Sequence, residues 1–131
     1  MEAITYNSPS ILIVDDNPIN AKLLSYWCTK WGYLSEIVLS GKAALNKAAS
    51  TDYTLAIMDI LLPDISGIDV CKELTSYQPN LEVVFQSGLS EEEFRSMDGG
   101  GHYFLQKPYY PNKMEEIVDF IFQKHAIKIF A

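Results

Sequence analysis

Short apolar runs alternate along this chain with longer segments of helical period. The first run, Ile11-Leu12-Ile13-Val14, has no polar break, as in a strand covered on both faces. Asn17 then offers a helix cap, and Pro18 suits a first helical position that needs no amide hydrogen. Leu23, Leu24, Trp27, Cys28 and Trp31 recur at helical spacing before Gly32 ends the segment. The Trp27 and Trp31 pair, four residues apart on that apolar face, is expected in the core rather than as a stacking platform. The same alternation predicts strands over about 34–39, 53–58, 82–86 and 102–105. Helices are predicted over about 41–49, 67–75, from Ser90 to near Met97, and over about 111–127. Ser40 caps the second helix, and Ser90 with Glu93 forms a capping box for the fourth. Gly99-Gly100-Gly101 reads as a turn, and Met114, Ile117, Val118, Ile121 and Phe122 form the inward face of the last helix.

Five strands alternating with five helices predict an α/β fold with a doubly wound parallel sheet built on right-handed crossovers. No linker, repeat or low-complexity tract interrupts 1–131, which reads as one domain with a flexible segment over 1–9 and a core over about 10–127. The chain ends about four residues past the last predicted helix, so no output domain is expected within it. Sheets of this kind bind ligands at the carboxyl ends of their strands. Asp15, Asp16, Asp59, Ser87 and Lys107 all stand immediately after a predicted strand.

Composition removes several classes of function. Hydrophobic residues make up 48% of the chain and charged residues 21%, as in an ordinary folded domain. No apolar stretch is long enough to span a bilayer, and the first ten residues lack the basic start and apolar run of a signal peptide. The expected compartment is therefore the cytoplasm. A net charge of -7, with no cluster of Lys or Arg, argues against direct binding of nucleic acid. Cys28 and Cys71 lack ligand-like spacing and read as small apolar residues. His102 and His125 are isolated, and no His/Cys cluster suggests zinc.

The five strand-end residues carry the chemistry. Three carboxylates gathered at one sheet edge repel one another unless a cation joins them. Magnesium prefers hard oxygen ligands and takes one or two carboxylates together with waters and phosphate oxygens. Asp16 and Asp59 suit direct coordination, and Asp15 a water-mediated contact. A carboxylate so managed can act as a nucleophile toward phosphorus, with Lys107 supplying a compact positive charge and Ser87 a hydroxyl. Taken singly, a strand-end Asp can simply cap a helix, Ser87 can be a turn residue and Lys107 can be solvated. Their joint placement argues for a site.

With these motifs in order, the chain resembles the receiver domains of response regulators in two-component signalling. The resemblance covers about residues 10–127. It rests on Ile11-Leu12-Ile13-Val14-Asp15-Asp16-Asn17-Pro18-Ile19-Asn20, on Met58-Asp59-Ile60-Leu61-Leu62-Pro63-Asp64-Ile65-Ser66-Gly67, and on Lys107-Pro108-Tyr109, with Ser87 between them. It implies a flavodoxin-like (βα)5 fold with strand order 2-1-3-4-5. It also implies that Asp59 accepts a phosphoryl group from a histidine kinase or a histidine phosphotransfer protein. Asp15 and Asp16 would form the magnesium pocket with Asp59 and the backbone carbonyl of Leu61. Lys107 would pair with the phosphoryl group, Ser87 would move toward it, and Phe104 occupies the aromatic switch position. The Lys107-Pro108 bond is a candidate for cis. The output surface implied is the face of helix 4, strand 5 and helix 5, serving a downstream target or a homodimer. The chain would then catalyse only its own phosphorylation and dephosphorylation. Its Asp-Asp-Asn-Pro-Ile-Asn stretch leans toward receivers of hybrid histidine kinases, whose partners are phosphotransfer proteins.

Four departures from the family pattern stand out. Leu62 replaces the usual Met, a swap that conserves volume. Phe104 replaces the more frequent Tyr and so has no hydroxyl to bond. The segment from Ser87 to Lys107 is about two residues short. Leu61 and Leu89, each two residues past a site residue, occupy positions that in the family govern access of the hydrolytic water. Two leucines there predict a long-lived phosphorylated state.

Three other functions compete. A receiver-like binding module that works without phosphorylation would lack part of this acidic pocket or the lysine. A phosphatase of the haloacid-dehalogenase type needs a second acid two residues after its nucleophile, where this chain has Leu61. A flavin-binding protein needs a hydroxyl- and glycine-rich loop after the first strand, where this chain has acids. Glu91-Glu92-Glu93 reads as acids favouring the positive end of a helix dipole rather than as a docking patch.

Overall fold

In the computed structural model, residues 10–97 and 102–130 are described, with side chains as far as Ala126. The Gly99-Gly100-Gly101 turn and the flexible segment over 1–9 lie outside the described residues. Strands β1 (Ile11–Val14), β2 (Ser35–Val38), β3 (Leu55–Asp59), β4 (Glu82–Ser87) and β5 (Tyr103–Gln106) form one sheet in the order β2-β1-β3-β4-β5. Every neighbouring pair is parallel. Helices α1 (Pro18–Lys30), α2 (Gly41–Ala48), α3 (Gly67–Tyr77), α4 (Glu91–Arg95) and α5 (Pro111–Phe130) complete five βα units.

Local chemistry explains the boundaries. The Asn17 side chain accepts from the amides of Ile19 and Asn20, and Pro18 opens α1 at a position with no amide to satisfy. Gly32, at φ +98°, turns the chain out of that helix in a conformation other residues resist. Ser90 and Glu93 form the reciprocal capping box at α4. That helix is only five residues long and ends before Met97. β3 starts two residues later than the apolar pattern suggests and takes in Asp59, because pairing with β4 continues to the Asp59–Gln86 register.

Alternation along the strands divides the core into two layers. Ile11, Ile13, Leu55, Ile57 and Val84 pack beneath α1 and α5, against Ala21, Leu24, Cys28, Met114, Val118 and Ile121. Leu12, Val14, Ala56, Met58, Val83 and Phe85 pack beneath α2, α3 and α4. Both cysteines are buried and free, and burial pushes the Cys71 thiol up to about 11. The inward face expected for α1 is only partly realised. Leu23 is 55% exposed, and Trp27 and Trp31 are half-buried rather than in the core. The helix presents Ala21, Leu24 and Cys28 to the sheet. The larger rings fall to the side of that stripe, where they stack at 6.5 Å over an open groove.

Two contacts set the loop below the acidic edge. The amide of Gly67 donates to the Ile60 carbonyl at 2.8 Å, and a Cβ on Gly67 would stand 2.0 Å from the Asp59 carbonyl oxygen. Only glycine lets the start of α3 approach β3 so closely. The Asp64 carboxylate accepts from the amides of Gly41 and Lys42, each at 2.9 Å, tying the β3–α3 loop to the start of α2. Among the described residues, no helix is long and apolar enough to cross a membrane.

Candidate functional site

β1 and β3 deliver their terminal acids to the same point. Val14 pairs with Met58, so the residues that follow them, Asp15 and Asp59, emerge side by side. Carboxylate oxygens of Asp15, Asp16 and Asp59 lie within 4.8 Å of one another, with Asp15 and Asp59 buried and Asp16 exposed. One Asp15 oxygen accepts from the amide of Asn17 at 2.9 Å. The other Asp15 oxygen and Oδ1 of Asp59 are buried without a hydrogen bond of good geometry. Lys107 Nζ approaches them at 3.8 Å and 2.9 Å respectively, as a point charge rather than an aligned donor.

The cluster is electrostatically unsatisfied. Burial first, then the Asp15 carboxylate, pushes the Asp59 carboxyl up from 3.8 to about 7, while Lys107 pulls it back. Two buried oxygens lacking donors beside an exposed third acid form a donor set suited to a hard cation. The residues therefore fit a metal site.

These acids floor a cleft of about 310 Å³, bordered also by Asn20, Leu61, Ser87 and Lys107. The Ser87 hydroxyl accepts from the Leu89 amide at 3.2 Å, and the Ser87 carbonyl accepts from the Lys107 amide at 2.7 Å. The Lys107–Pro108 peptide bond is cis. Of the residues singled out from sequence, Asp15, Asp16, Asp59, Leu61, Ser87 and Lys107 share this cleft. Phe104 does not border it. Its ring stacks on Phe94 of α4 at 4.6 Å, and Phe94 in turn meets Phe85 at 5.3 Å. Leu61 is 68% exposed on the cleft rim, whereas Leu89 packs against the core beneath α4.

A second cavity of about 320 Å³ opens beside the first, between α1 and the β5–α5 loop. Leu23, Trp27, Trp31, Tyr109 and Met114 make its apolar walls, and Asp15, Asn20, Gln86 and Lys107 are common to both cavities. Gln86 is 2% exposed and accepts a hydrogen bond from the Tyr109 hydroxyl. Tyr109 stands in the Lys107-Pro108-Tyr109 motif, but the sequence assigns neither residue a role, although a Gln ending the apolar run Val83-Val84-Phe85 is itself a signal of a buried polar contact.

Comparison with known proteins agrees with this architecture. The family model described as the response regulator receiver domain matches residues 11–119. The transcriptional regulatory protein CreB of Escherichia coli is 31% identical over 107 residues, covering 80% of this chain and 47% of CreB. The chemotaxis protein CheY of Thermotoga maritima is 28% identical over 112 residues, covering 83% of this chain and 93% of CheY. The structure of Thermotoga maritima TrrA in complex with Mg2+ and BeF superposes with a TM-score of 0.78 at 28% identity, covering 86% of this chain and 98% of TrrA. The chain spans about half the length of the response and transcriptional regulators it matches first.

Proposed function

The chain belongs to the response regulator receiver family, and on that premise we propose that Asp59 is the phosphoryl acceptor of a phosphorylation-controlled signalling switch. The observation that carries this is the buried, cation-seeking cluster of Asp15, Asp16 and Asp59 with the Lys107 ammonium 2.9 Å from Asp59. A carboxylate oxygen of Asp59 attacks the phosphorus of a phosphohistidine. The phosphorus–nitrogen bond breaks with its electron pair leaving on the imidazole, and an acyl phosphate remains on Asp59.

The residues present fit Mg2+, which Asp16, Asp59 and the Leu61 carbonyl would hold directly and Asp15 through water. When bound, the ion offsets the carboxylate repulsion and the charge on the phosphoryl oxygens. Lys107 pairs with the incoming phosphoryl group. Ser87 turns its hydroxyl toward it, releasing the Leu89 amide that it now accepts from. Leu89 leads directly into Ser90, the cap of α4, and Phe104 stacks on Phe94 of the same helix. Movement of Ser87 therefore reaches α4, β5 and α5, the face offered to a downstream protein or a second copy. The chain's chemistry is confined to its own phosphorylation and dephosphorylation, in the cytoplasm, with a histidine kinase or histidine phosphotransfer protein as donor. A phosphatase of the haloacid-dehalogenase type is disfavoured by the exposed aliphatic Leu61 where that chemistry needs an acid.

Acetyl phosphate with Mg2+ tests the assignment. Wild type takes up one phosphoryl group, Asp59→Asn takes up none, and Asp16→Asn loses the Mg2+ dependence together with most of the rate. Labelling of Asp59→Asn at wild-type stoichiometry overturns it.

A further inference from the structure

We propose that Tyr109 and Gln86 form a positioning pair that holds Lys107 in register with Asp59. The inference rests on the function proposed above and extends it to two residues outside the acidic cluster. Gln86 is the β-ladder partner of Asp59 in the β3–β4 pairing, so its backbone sits directly beside the acceptor. Its side chain lies on the same side of the sheet as Asp59, the layer beneath α1 and α5, and it borders both cavities. A carboxamide buried at 2% exposure is costly unless it is paired, and an aliphatic residue would otherwise serve better there. Its oxygen is satisfied by the Tyr109 hydroxyl.

Tyr109 lies two residues beyond Lys107. The intervening chain is thus fastened to β4 at two successive residues: the Lys107 amide to the Ser87 carbonyl, and the Tyr109 hydroxyl to the Gln86 side chain. The first contact fixes where the Lys107 backbone starts. The second fixes the direction in which the loop leaves, and so where a flexible four-carbon side chain can set its ammonium. Lys107 faces the phosphoryl group and is no metal ligand; its ammonium sits against Asp59 and Asp15 and so opposes the cation rather than holding it. Loss of the pair therefore weakens the grip on phosphoryl oxygens without lowering Mg2+ affinity, which stays the same or rises as the ammonium moves off the carboxylates.

The experiment separates those two affinities in the intact protein, using calorimetry with Mg2+ alone and then with beryllofluoride at saturating Mg2+. Tyr109→Phe keeps the ring in the groove and removes only the hydroxyl. It is expected to weaken beryllofluoride binding about fivefold, the effect of one hydrogen bond, with Mg2+ affinity not reduced. Gln86→Leu is expected to do the same, and the double variant to be no worse than either single one. Unchanged beryllofluoride affinity in Tyr109→Phe overturns the proposal. So does a parallel loss of Mg2+ affinity, which marks a merely structural role, or multiplicative losses in the double variant. Failure of the wild type to bind beryllofluoride overturns the phosphoryl-acceptor assignment itself.

Discussion

Replacing Asp59 by Asn should stabilise the metal-free protein while removing its function. Asp59 and Asp15 are 6% and 1% exposed, and one oxygen of each lacks a hydrogen bond. Asp59 is raised from 3.8 to about 7, so the folded state holds its proton more tightly than the unfolded chain does. Wild-type stability from this group is therefore fully present below about pH 4 and is lost as pH rises through 7. A shift of roughly three units corresponds to about 4 kcal/mol above pH 7. Relaxation and counterions entering the open cleft reduce that ceiling, so the expected gain at pH 8 is about 2 kcal/mol. In a domain of this size that raises the melting midpoint by about 6–8 °C. Thermal unfolding in a chelating buffer at pH 8, pH 6 and pH 4 measures it, and the gain should shrink as pH falls. Saturating Mg2+ should reverse the order, because the wild type gains more from the ion. An Asn variant no more stable than wild type at pH 8 without metal would refute the electrostatic argument, as would a gain that is independent of pH.

Three further substitutions probe other parts of the account. Gly67→Ala drives a Cβ to within 2.0 Å of the Asp59 carbonyl; urea unfolding should show a loss of about 3 kcal/mol, and a neutral result would contradict the close-approach explanation. Gln78→Leu deletes a buried side chain that donates to the carbonyls of Ala48 and Thr51 and accepts from the Tyr53 amide. The same assay should show a loss of about 2–4 kcal/mol from the unpaired backbone groups. Leu61→Asn places a polar group on the cleft rim where it can orient water, and decay of the acyl phosphate should quicken by roughly threefold or more; equal or slower decay would remove Leu61 as the cause of a long-lived state.

Strand and helix identities were legible because each βα unit announces itself twice, by an unbroken apolar run and then by a capped helical period. Asn17-Pro18 and Ser90 with Glu93 mark helix starts that the structure reproduces to the residue. Strand ends were less legible, since pairing rather than local composition decides them, and Asp59 proves to be the last residue of β3. The acidic cluster could be read because parallel strands must release their ends at one edge. The groove beside it could not. Spacing alone does not say whether Trp27 and Trp31 point at the sheet or past it, and the sheet accepted the smaller Ala21, Leu24 and Cys28 instead. The pairing of Gln86 with Tyr109 was not legible for a related reason, as it exists only once β4 and the β5–α5 loop are brought together.

Locating the phosphoryl group tests the central claim most directly. After incubation with acetyl phosphate and Mg2+, the acyl phosphate is reduced with borohydride and the modified residue is identified by peptide mass spectrometry. A single modification is expected, at Asp59, absent when Mg2+ is chelated before the donor is added. A modification at Asp15 or Asp16, or no modification of the folded protein, would contradict it.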